Sequence, residues 1–285
     1  DVAAEAKIPL ISLNGNAVVV TPQEGAKKWA FKTPQNDSLM AIALVHAMKK
    51  ANVKTLGYIG FADAYGQGWL KELEVVLKEA DIKLVATESF ARTDTSVTGQ
   101  IMKLIAAKPD AVLMGTAGTP GALPQRELIQ RGYKGLTYHT HGSGNSDFLR
   151  VCGKACEGVV LPAGPVMVAE QLEDDNPVKE LGVEYTKLYN SKFGEGTVSV
   201  FGGHMWDASA IINAAIPKAI ASDRQPGTER FRAAMRDALE NNKNVGGVHG
   251  IFNTTPEDHT GLDDRARVMV KIIDGKWVYQ PDLLK

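Results

Sequence analysis

The residues best suited to chemistry in this sequence are neutral hydrogen-bonding groups that follow short apolar runs. They lie in four segments: Asn14-Gly15-Asn16, Phe61-Ala62-Asp63-Ala64-Tyr65, Thr116-Ala117-Gly118-Thr119 and His139-Thr140-His141-Gly142-Ser143. Glycine exposes the backbone, while hydroxyl, amide and imidazole groups donate and accept hydrogen bonds. Such a set suits reversible binding of a small polar molecule. The same residue types also favour ordinary turns, so both interpretations stay open at this point.

Catalytic and cofactor motifs are weak. His141-Gly142-Ser143-Gly144-Asn145 contains a serine without the spacing of a nucleophile elbow, and no HExxH helix occurs. Gly115-Thr116-Ala117-Gly118 lacks the Gly-Lys-Ser/Thr end of a phosphate loop, and Gly66-Gln67-Gly68 lacks the third glycine of a dinucleotide fingerprint. We therefore predict no catalytic residue and no cofactor.

Metal-binding patterns are equally weak. Asp258-His259 with Asp263-Asp264 is more typical of a solvated loop, and His204 next to Trp206 is more typical of packing, so we predict no metal. Cys152 and Cys156 are too few for a tetrahedral zinc site. Their close spacing fits either a small disulfide loop in an oxidising compartment or two buried thiols.

The elements that position these groups follow from the apolar pattern. Strands are predicted near residues 8–13, 54–60, 83–87, 111–115, 136–139 and 159–161, and helices near 37–50, 65–80, 96–107, 121–131 and up to 151. This alternation predicts βαβ units and a parallel sheet. Long helices follow near 177–193, 201–221 and 228–241, and then antiparallel strands near 250–253, 267–273 and 276–278. Ligands of open parallel sheets bind at the carboxyl ends of strands, where the four polar segments lie.

Composition limits the class of protein. The chain has 285 residues, 44% of them hydrophobic and 23% charged, with a formal net charge of -1. These values predict a globular protein that is long enough for two α/β lobes, and they give no basic surface for nucleic acid or anionic lipid. No apolar run approaches the roughly 20 residues of a membrane span, and the first residues do not form a signal peptide. The expected partner is a small molecule or a protein.

Several segments, in order along the chain, carry a family resemblance. They are Lys7-Ile8-Pro9-Leu10-Ile11-Ser12, Phe31-Lys32-Thr33, Tyr65-Gly66-Gln67-Gly68, Pro109-Asp110-Ala111-Val112-Leu113-Met114-Gly115, Gly132-Tyr133-Lys134, Glu157-Gly158-Val159, Trp206-Asp207-Ala208 and Pro256-Glu257-Asp258-His259-Thr260-Gly261. Together they resemble the leucine/isoleucine/valine-binding proteins of ABC transporters. The resemblance covers essentially the whole chain.

The resemblance implies two Rossmann-like lobes of the type I periplasmic binding protein fold, joined by three crossings near residues 31–34, 161–164 and 250–254. Residues 1–32 and 163–250 would form the N-terminal lobe, and 33–162 and 251–285 the C-terminal lobe. We expect the first lobe to be incomplete, because Ala3-Ala4-Glu5-Ala6-Lys7 looks like the last turn of a helix. About three βα units, on the order of a hundred residues, would precede it in a family member.

The resemblance also implies roles for residues in the cleft between the lobes. Gly15 and Asn16 would hold a ligand carboxylate, and Tyr65 matches the cleft tyrosine of the family. Ala117 and Gly118 stand where amino acid binders carry bulky tyrosines, which predicts a wider pocket. The remaining candidates for the cleft are Asn14, Phe61, Thr116 and Ser143.

His141 departs from the family pattern, because it stands where amino acid binders have an acidic residue that pairs with the ligand ammonium. A buried ammonium needs an anionic partner, which imidazole cannot provide. Imidazole can donate a hydrogen bond to a carboxylate, phenol or carbonyl oxygen. The difference predicts a ligand with a carboxylate and no α-amine, with space for an aromatic group.

The predicted function is that of a monomeric receptor, periplasmic or extracellular and lipid-anchored, which delivers a small carboxylate to the membrane subunits of an ABC importer. One alternative is a binder of branched-chain amino acids or amides within the same family. Others are an enzyme on a similar α/β scaffold and the ectodomain of a sensor. A nucleophile with its base, or a cofactor loop, would favour the enzyme, and the sequence has neither.

Overall fold

The computed structural model describes the whole chain, Asp1 to Lys285. The α-helices are α1 (Val2–Glu5), α2 (Asp37–Lys50), α3 (Ala64–Ala80), α4 (Thr98–Ala106), α5 (Ala122–Gln130), α6 (Ser146–Cys152), α7 (Lys179–Phe193), α8 (Val200–Ile220) and α9 (Glu229–Glu240). The strands are β1 (Leu10–Ser12), β2 (Ala30–Lys32), β3 (Thr55–Phe61), β4 (Lys83–Phe90), β5 (Ala111–Gly115), β6 (Leu136–His139), β7 (Val160–Ala163), β8 (Val245–Gly246), β9 (Ile251–Phe252), β10 (Val268–Ile273) and β11 (Lys276–Tyr279). Short 3₁₀ turns connect many of them.

A seven-stranded sheet forms the larger part of the molecule, in the order β11-β10-β7-β6-β5-β3-β4. The strands from β7 to β4 run parallel, and β10 and β11 add an antiparallel edge. Alternate residues of β3 face opposite layers: Leu56 and Tyr58 pack with α2 and α3, whereas Ile59 and Phe61 pack with α4. Helices therefore cover both faces of the sheet, as the predicted βαβ units require.

A smaller part of the molecule contains β1, β2, α7, α8, α9 and the short pair β8 and β9. β1 and β2 form a two-stranded parallel sheet, and β8 pairs with β9 in antiparallel fashion. Phe31 of β2, Ile211 of α8, Leu239 of α9 and Phe252 of β9 share one apolar cluster. Phe252 of β9 thus packs with this smaller part, whereas Ile251 packs against an apolar cluster of the larger part, in which the predicted lobe assignment places it. The lobe boundaries remain a prediction.

The observed elements differ from the predicted ones mainly at edges and in short pieces. β4 continues to Phe90, beyond the predicted end at residue 87, through alternately exposed and buried residues of an edge strand. β2 and β8 were not predicted as strands, because three- and two-residue strands leave little periodicity to detect. No helix of the structure is both long and apolar enough to cross a membrane.

Hydrogen bonds hold in place the segments that are predicted to connect the two parts. Thr33 Oγ1 donates a hydrogen bond to the backbone oxygen of His204 at 3.0 Å, and Gln35 Nε2 donates to that of Ala266 at 2.6 Å. A Cβ on Gly164 would overlap the ring of His249. The predicted crossing near residues 161–164 therefore packs closely against the residue that precedes the crossing near 250–254. A cleft remains beside these connections, at the carboxyl ends of the parallel strands.

Candidate functional site

The cleft has a volume of about 440 Å³ and lies where β1, α3, the segments after β5 and β6, and α8 meet. It is lined by Ser12, Leu13, Asn14, Gly15, Pro34, Tyr65, Arg92, Ala117, His141, Gly142, Val200, Phe201 and His204. The structure thus brings together Asn14, Gly15, Tyr65, Ala117 and His141 among the candidates from the sequence.

Tyr65 is held at the cleft by the start of α3. Asp63 Oδ1 accepts hydrogen bonds from the backbone nitrogens of Tyr65 (2.9 Å) and Gly66 (3.2 Å), an N-cap that satisfies otherwise unpaired donors. The Tyr65 hydroxyl donates to Thr140 Oγ1 at 3.1 Å. A Cβ at Gly142 would lie 2.6 Å from that hydroxyl, so the approach requires glycine. Burial raises the pKa of Tyr65, so its hydroxyl stays neutral and can still accept a hydrogen bond.

His141 contacts the same space with an imidazole that makes no hydrogen bond. Its Nδ1 is buried without a partner, and its Nε2 would lie 2.9 Å from a Cβ placed on Gly15. Burial, with smaller contributions from Lys32 and His249, lowers the pKa of His141 to about 3. The ring is therefore neutral at physiological pH and offers one donor and one acceptor.

A lysine and an aspartate lie behind Gly15. Lys32 is fully buried, and its Nζ donates to the backbone oxygens of Gly15 (2.5 Å) and Gln35 (3.4 Å). Asp37 is also buried, and its Oδ1 has no partner. Burial lowers the pKa of Lys32 and raises the pKa of Asp37, while the attraction between the two charges opposes both shifts. Lys32 and Asp37 were not candidates from the sequence, because neither residue follows one of the four strands first considered.

The other five candidates lie outside the cleft lining. Phe61, the last residue of β3, packs against Phe90 in the core at 5.2 Å between ring centroids, because its side chain points to the α4 layer. Thr116 and Ser143 are fully buried, and the Ser143 hydroxyl lies 3.5 Å from the Thr116 backbone oxygen. The backbone nitrogen of Gly118 donates to Gly142.

Asn16 uses its side chain within the protein. Nδ2 donates to the backbone oxygen of Ala64 at 2.8 Å, and Oδ1 accepts from the backbone nitrogen of Val18 at 2.9 Å. The side chain joins the segment after β1 to the start of α3, across the cleft. The predicted role of Asn16 in holding a ligand carboxylate would have to use its backbone.

Eight lining residues were not among the candidates from the sequence: Ser12, Leu13, Pro34, Arg92, Gly142, Val200, Phe201 and His204. Arg92 follows β4 by two residues, so the rule that ligands bind after parallel strands would have found it if β4 had been included. His204 was interpreted as a packing residue. It does pack, since its ring stacks on His249 at 3.8 Å between centroids, but it also lines the cleft.

His204, Asp207 and His249 are buried and close enough for their ligand atoms to surround a cation. Asp207 already accepts three hydrogen bonds, from the backbone nitrogens of Val248 (2.6 Å) and His249 (3.2 Å) and from the His249 ring at Nδ1 (2.9 Å). These bonds occupy both carboxylate oxygens, which indicates a brace for the connection at residues 248–250. The arrangement supports the cleft wall that carries His204.

Cys152 and Cys156, for which the sequence allowed a disulfide or two thiols, are joined in a disulfide. Both cysteines are buried in the cluster that includes Phe148 and Val159. The bond lies at the end of α6 and does not contact the cleft.

Comparisons with known proteins agree with this architecture. A family model described as periplasmic binding protein matches residues 1–275. An extracellular ligand-binding receptor from Rhodopseudomonas palustris is 42% identical, with a TM-score of 0.93, over 98% of this chain and 76% of that one. The chain belongs to the periplasmic binding protein family. A second receptor, from Rhodopseudomonas palustris HaA2, is 39% identical over 98% of this chain and 77% of its own, with a TM-score of 0.93.

More distant structures support the fold of this periplasmic binding protein. The leucine binding protein LivK from Thermotoga maritima MSB8 is 19% identical, with a TM-score of 0.79, and the match covers 98% of this chain and 74% of that one. The similarity to LivK concerns the fold alone, which is the type I periplasmic binding protein fold predicted from the sequence. No curated protein sequence matches the chain significantly.

Proposed function

We propose that this protein is the solute-binding receptor of an ABC importer and that its cleft binds a small carboxylate without an α-amine. The observation that carries the choice of ligand is the composition of the cleft lining, which has no aspartate or glutamate among its 13 residues. A ligand ammonium would have no anionic partner in direct contact, and burying an unpaired charge costs several kcal/mol.

The polar groups that do line the cleft suit an acid. His141 is neutral and able to donate a hydrogen bond, and Asn14 and Gly15 add amide and backbone groups. The Tyr65 hydroxyl already donates to Thr140, so it can only accept a hydrogen bond from a ligand. Ala117 leaves space beside Tyr65 for a ring or a branched chain. We therefore propose aromatic monocarboxylates as one class to test.

Asp37 favours a second candidate, an amine-bearing ligand such as a branched-chain amino acid. Its Oδ1 has no partner and would lie 3.4 Å from a Cβ on Gly15, just behind the cleft surface. An ammonium reaching past Gly15 would provide the missing partner. However, Lys32 already neutralises part of this charge, which makes the carboxylate the better-supported ligand.

Matched ligands separate the two candidates. Isothermal titration of the purified chain should compare benzoate with benzylamine, cinnamate with cinnamylamine, and 4-methylpentanoate with leucine. Each pair tests a carboxylate against a similar molecule that carries an amine. Binding of at least one acid in preference to its amine partner is expected. Tight binding of leucine with no response to the three acids would refute the carboxylate proposal and favour the second candidate.

Two further measurements test the receptor role. The bound acid should be recovered chemically unchanged after prolonged incubation, as mass spectrometry can establish; conversion of the acid would favour an enzyme on this scaffold. In proteoliposomes that contain the importer, the loaded receptor should stimulate ATP hydrolysis above the level seen with the unloaded receptor. Equal hydrolysis in both cases would contradict the transport role.

A further inference from the structure

Arg92 is the one arginine or lysine among the residues that line the cleft. Its Nε donates to Asp63 Oδ2 at 2.7 Å, and its guanidinium carbon lies 4.0 Å from the centre of the Phe61 ring. No protein atom accepts a hydrogen bond from its two terminal nitrogens. The Arg92 guanidinium is thus held by the hydrogen bond of its Nε and by contact of one face with the Phe61 ring. Its two terminal nitrogens remain free to donate hydrogen bonds.

The charge of Asp63 is already shared among several donors. One carboxylate oxygen accepts hydrogen bonds from the backbone nitrogens of Tyr65 and Gly66 in the first turn of α3, and the other accepts one from Arg92 Nε. The positive end of the 17-residue helix α3 lies at the same place. Asp63 therefore orients the guanidinium through Nε, and the two terminal nitrogens of Arg92 remain available as donors.

From this geometry we propose that Arg92 binds the ligand carboxylate through its two terminal nitrogens and is the residue that selects acids over neutral analogues. The inference rests on the proposed carboxylate ligand and names the group that recognises it. A guanidinium presents two parallel N–H groups that match the two oxygens of a carboxylate. Phe61, which lies under the guanidinium, acts as a positioning residue by fixing the plane of that fork.

Lys32 is the competing cation, but its position makes it unsuitable. Its Nζ is fully buried and donates to the oxygens of Gly15 and Gln35, so a ligand would have to displace backbone bonds to reach it. Arg92 is about two-fifths exposed and needs no such rearrangement. At the buried end of the cleft, the neutral rings of His141 and His204 suit an uncharged part of the ligand.

The test compares an acid with its primary amide, which keeps the shape of the ligand and removes its charge. The probe is whichever of benzoate, cinnamate and 4-methylpentanoate binds the wild-type chain, titrated beside the corresponding amide. In Arg92→Gln, affinity for the acid should fall about tenfold or more, as expected for loss of a charge-assisted bidentate pair. Affinity for the amide should change by less than about twofold, since the amide makes little use of the charge.

Two variants sharpen the result. Arg92→Lys keeps the charge and loses the fork, so its affinity for the acid should lie between those of the wild type and Arg92→Gln. Arg150→Gln is the matched control, because Arg150 is exposed and pairs with Asp147 in its own helix, away from the cleft. It should bind the acid and the amide as the wild type does.

The outcomes distinguish this inference from the proposed function. If no acid binds the wild type, the carboxylate proposal itself is wrong. If acids bind and Arg92→Gln binds them with unchanged affinity, or loses acid and amide affinity equally, the role assigned to Arg92 is wrong while the proposed ligand class stands. Melting curves of each variant should match that of the wild type, as expected for a half-exposed side chain.

Discussion

His139 and His141 are separated by a single residue and are both buried, but their rings differ in hydrogen bonding. His139 has a partner at each ring nitrogen: Ser143 Oγ lies 3.1 Å from Nδ1, and Gln125 Oε1 lies 3.3 Å from Nε2. The His141 ring makes no hydrogen bond with the protein, and its Nδ1 is buried. Burial lowers the pKa of both to about 3, so protonation does not distinguish them.

The difference arises from the end of β6. In a continuing strand, residues 139 and 141 would point to the same face. β6 ends at His139, and a 3₁₀ turn begins at His141, so the two rings point in different directions. His139 packs edge-on against Phe148, while His141 packs near Tyr65 and Trp69 beside the cleft.

Buried polar groups in proteins are nearly always paired, so an unpaired one calls for an explanation. Both ring nitrogens of His139 are bonded, and the ring supports the fold. Around His141, the unpaired Nδ1 atoms of His141 and His204 lie beside one cleft. We interpret the groups around His141 as the ligand-binding part of the molecule, in which a bound ligand supplies the missing hydrogen-bond partners. Four predictions test this interpretation.

The largest effect is expected from His139→Ala. The change removes a buried ring and leaves Gln125 and Ser143 without their partner, which should lower the free energy of unfolding by about 2–4 kcal/mol. Affinity for the ligand should change by less than about twofold. Urea unfolding and calorimetric titration measure the two quantities.

The control for this change is His46→Ala, in which an exposed histidine of α2 is removed at a cost of within about 0.5 kcal/mol. A stability loss in His139→Ala no larger than that of the control would mean that the bonded network contributes little. The interpretation of His139 as a residue that stabilises the fold would then be wrong.

The next effect concerns binding. His141→Ala removes a ring that has no bonding partner in the protein, so we expect a smaller loss of stability than for His139→Ala. Affinity for the ligand should weaken by about 1–3 kcal/mol, the contribution of a buried hydrogen bond. The same titration and urea experiments apply. Unchanged affinity, with a loss of stability equal to that of His139→Ala, would show that both histidines are structural.

Features of the fold and the cleft that depend only on neighbouring residues could be predicted from the sequence. The bounds of α2, β5 and β6 agree with prediction, because capping residues and apolar periodicity are read within one element. The cleft residues Gly15, Tyr65 and His141 could be anticipated from strand ends. The direction in which each side chain points could not, since it depends on where the strand stops and the turn begins.

Features that depend on distant partners were not predictable in the same way. Lys32 becomes buried because the oxygen of Gly15, 17 positions earlier, accepts its Nζ. Arg92 reaches Asp63 across 29 positions of sequence. No local pattern reports such contacts, although the charge of a residue that follows a parallel strand could have flagged Arg92 as a candidate.

The third prediction concerns how the free energy of unfolding depends on pH. In this property the two histidines should behave alike. The pKa of each is about 3 in the folded chain, whereas an unfolded histidine has a value near 6.5. Unfolding therefore takes up a proton between these values. The stabilisation is complete above about pH 6.5 and is lost as the pH falls toward 3.

Each histidine contributes a slope of up to about 1.4 kcal/mol per pH unit in this range. His141→Gln and His139→Gln should each flatten the dependence of unfolding free energy on pH by a similar amount, and only His139→Gln should also lower the whole curve. Urea titrations at several values between about pH 4 and 7 measure both features. A slope that stays at the wild-type value in His141→Gln would indicate that this ring is accessible to protons in the folded chain.

The smallest effect is expected at Asn16, whose side chain spans the cleft. Asn16→Ser keeps an oxygen that can accept from Val18 but is too short to reach the backbone oxygen of Ala64, so one exposed hydrogen bond across the cleft is lost. Such a bond contributes about 0.5–1 kcal/mol, which corresponds to a two- to fivefold loss of affinity. The loss should appear as faster ligand dissociation in stopped-flow measurements, because the bond joins the segment after β1 to the start of α3. Asn176→Ser is the matched control, since Asn176 accepts a similar local bond from Val178 far from the cleft. If both variants release the ligand at the wild-type rate, the hydrogen bond from Asn16 does not slow dissociation. The ligand would then be retained only by the residues that line the cleft beside His141.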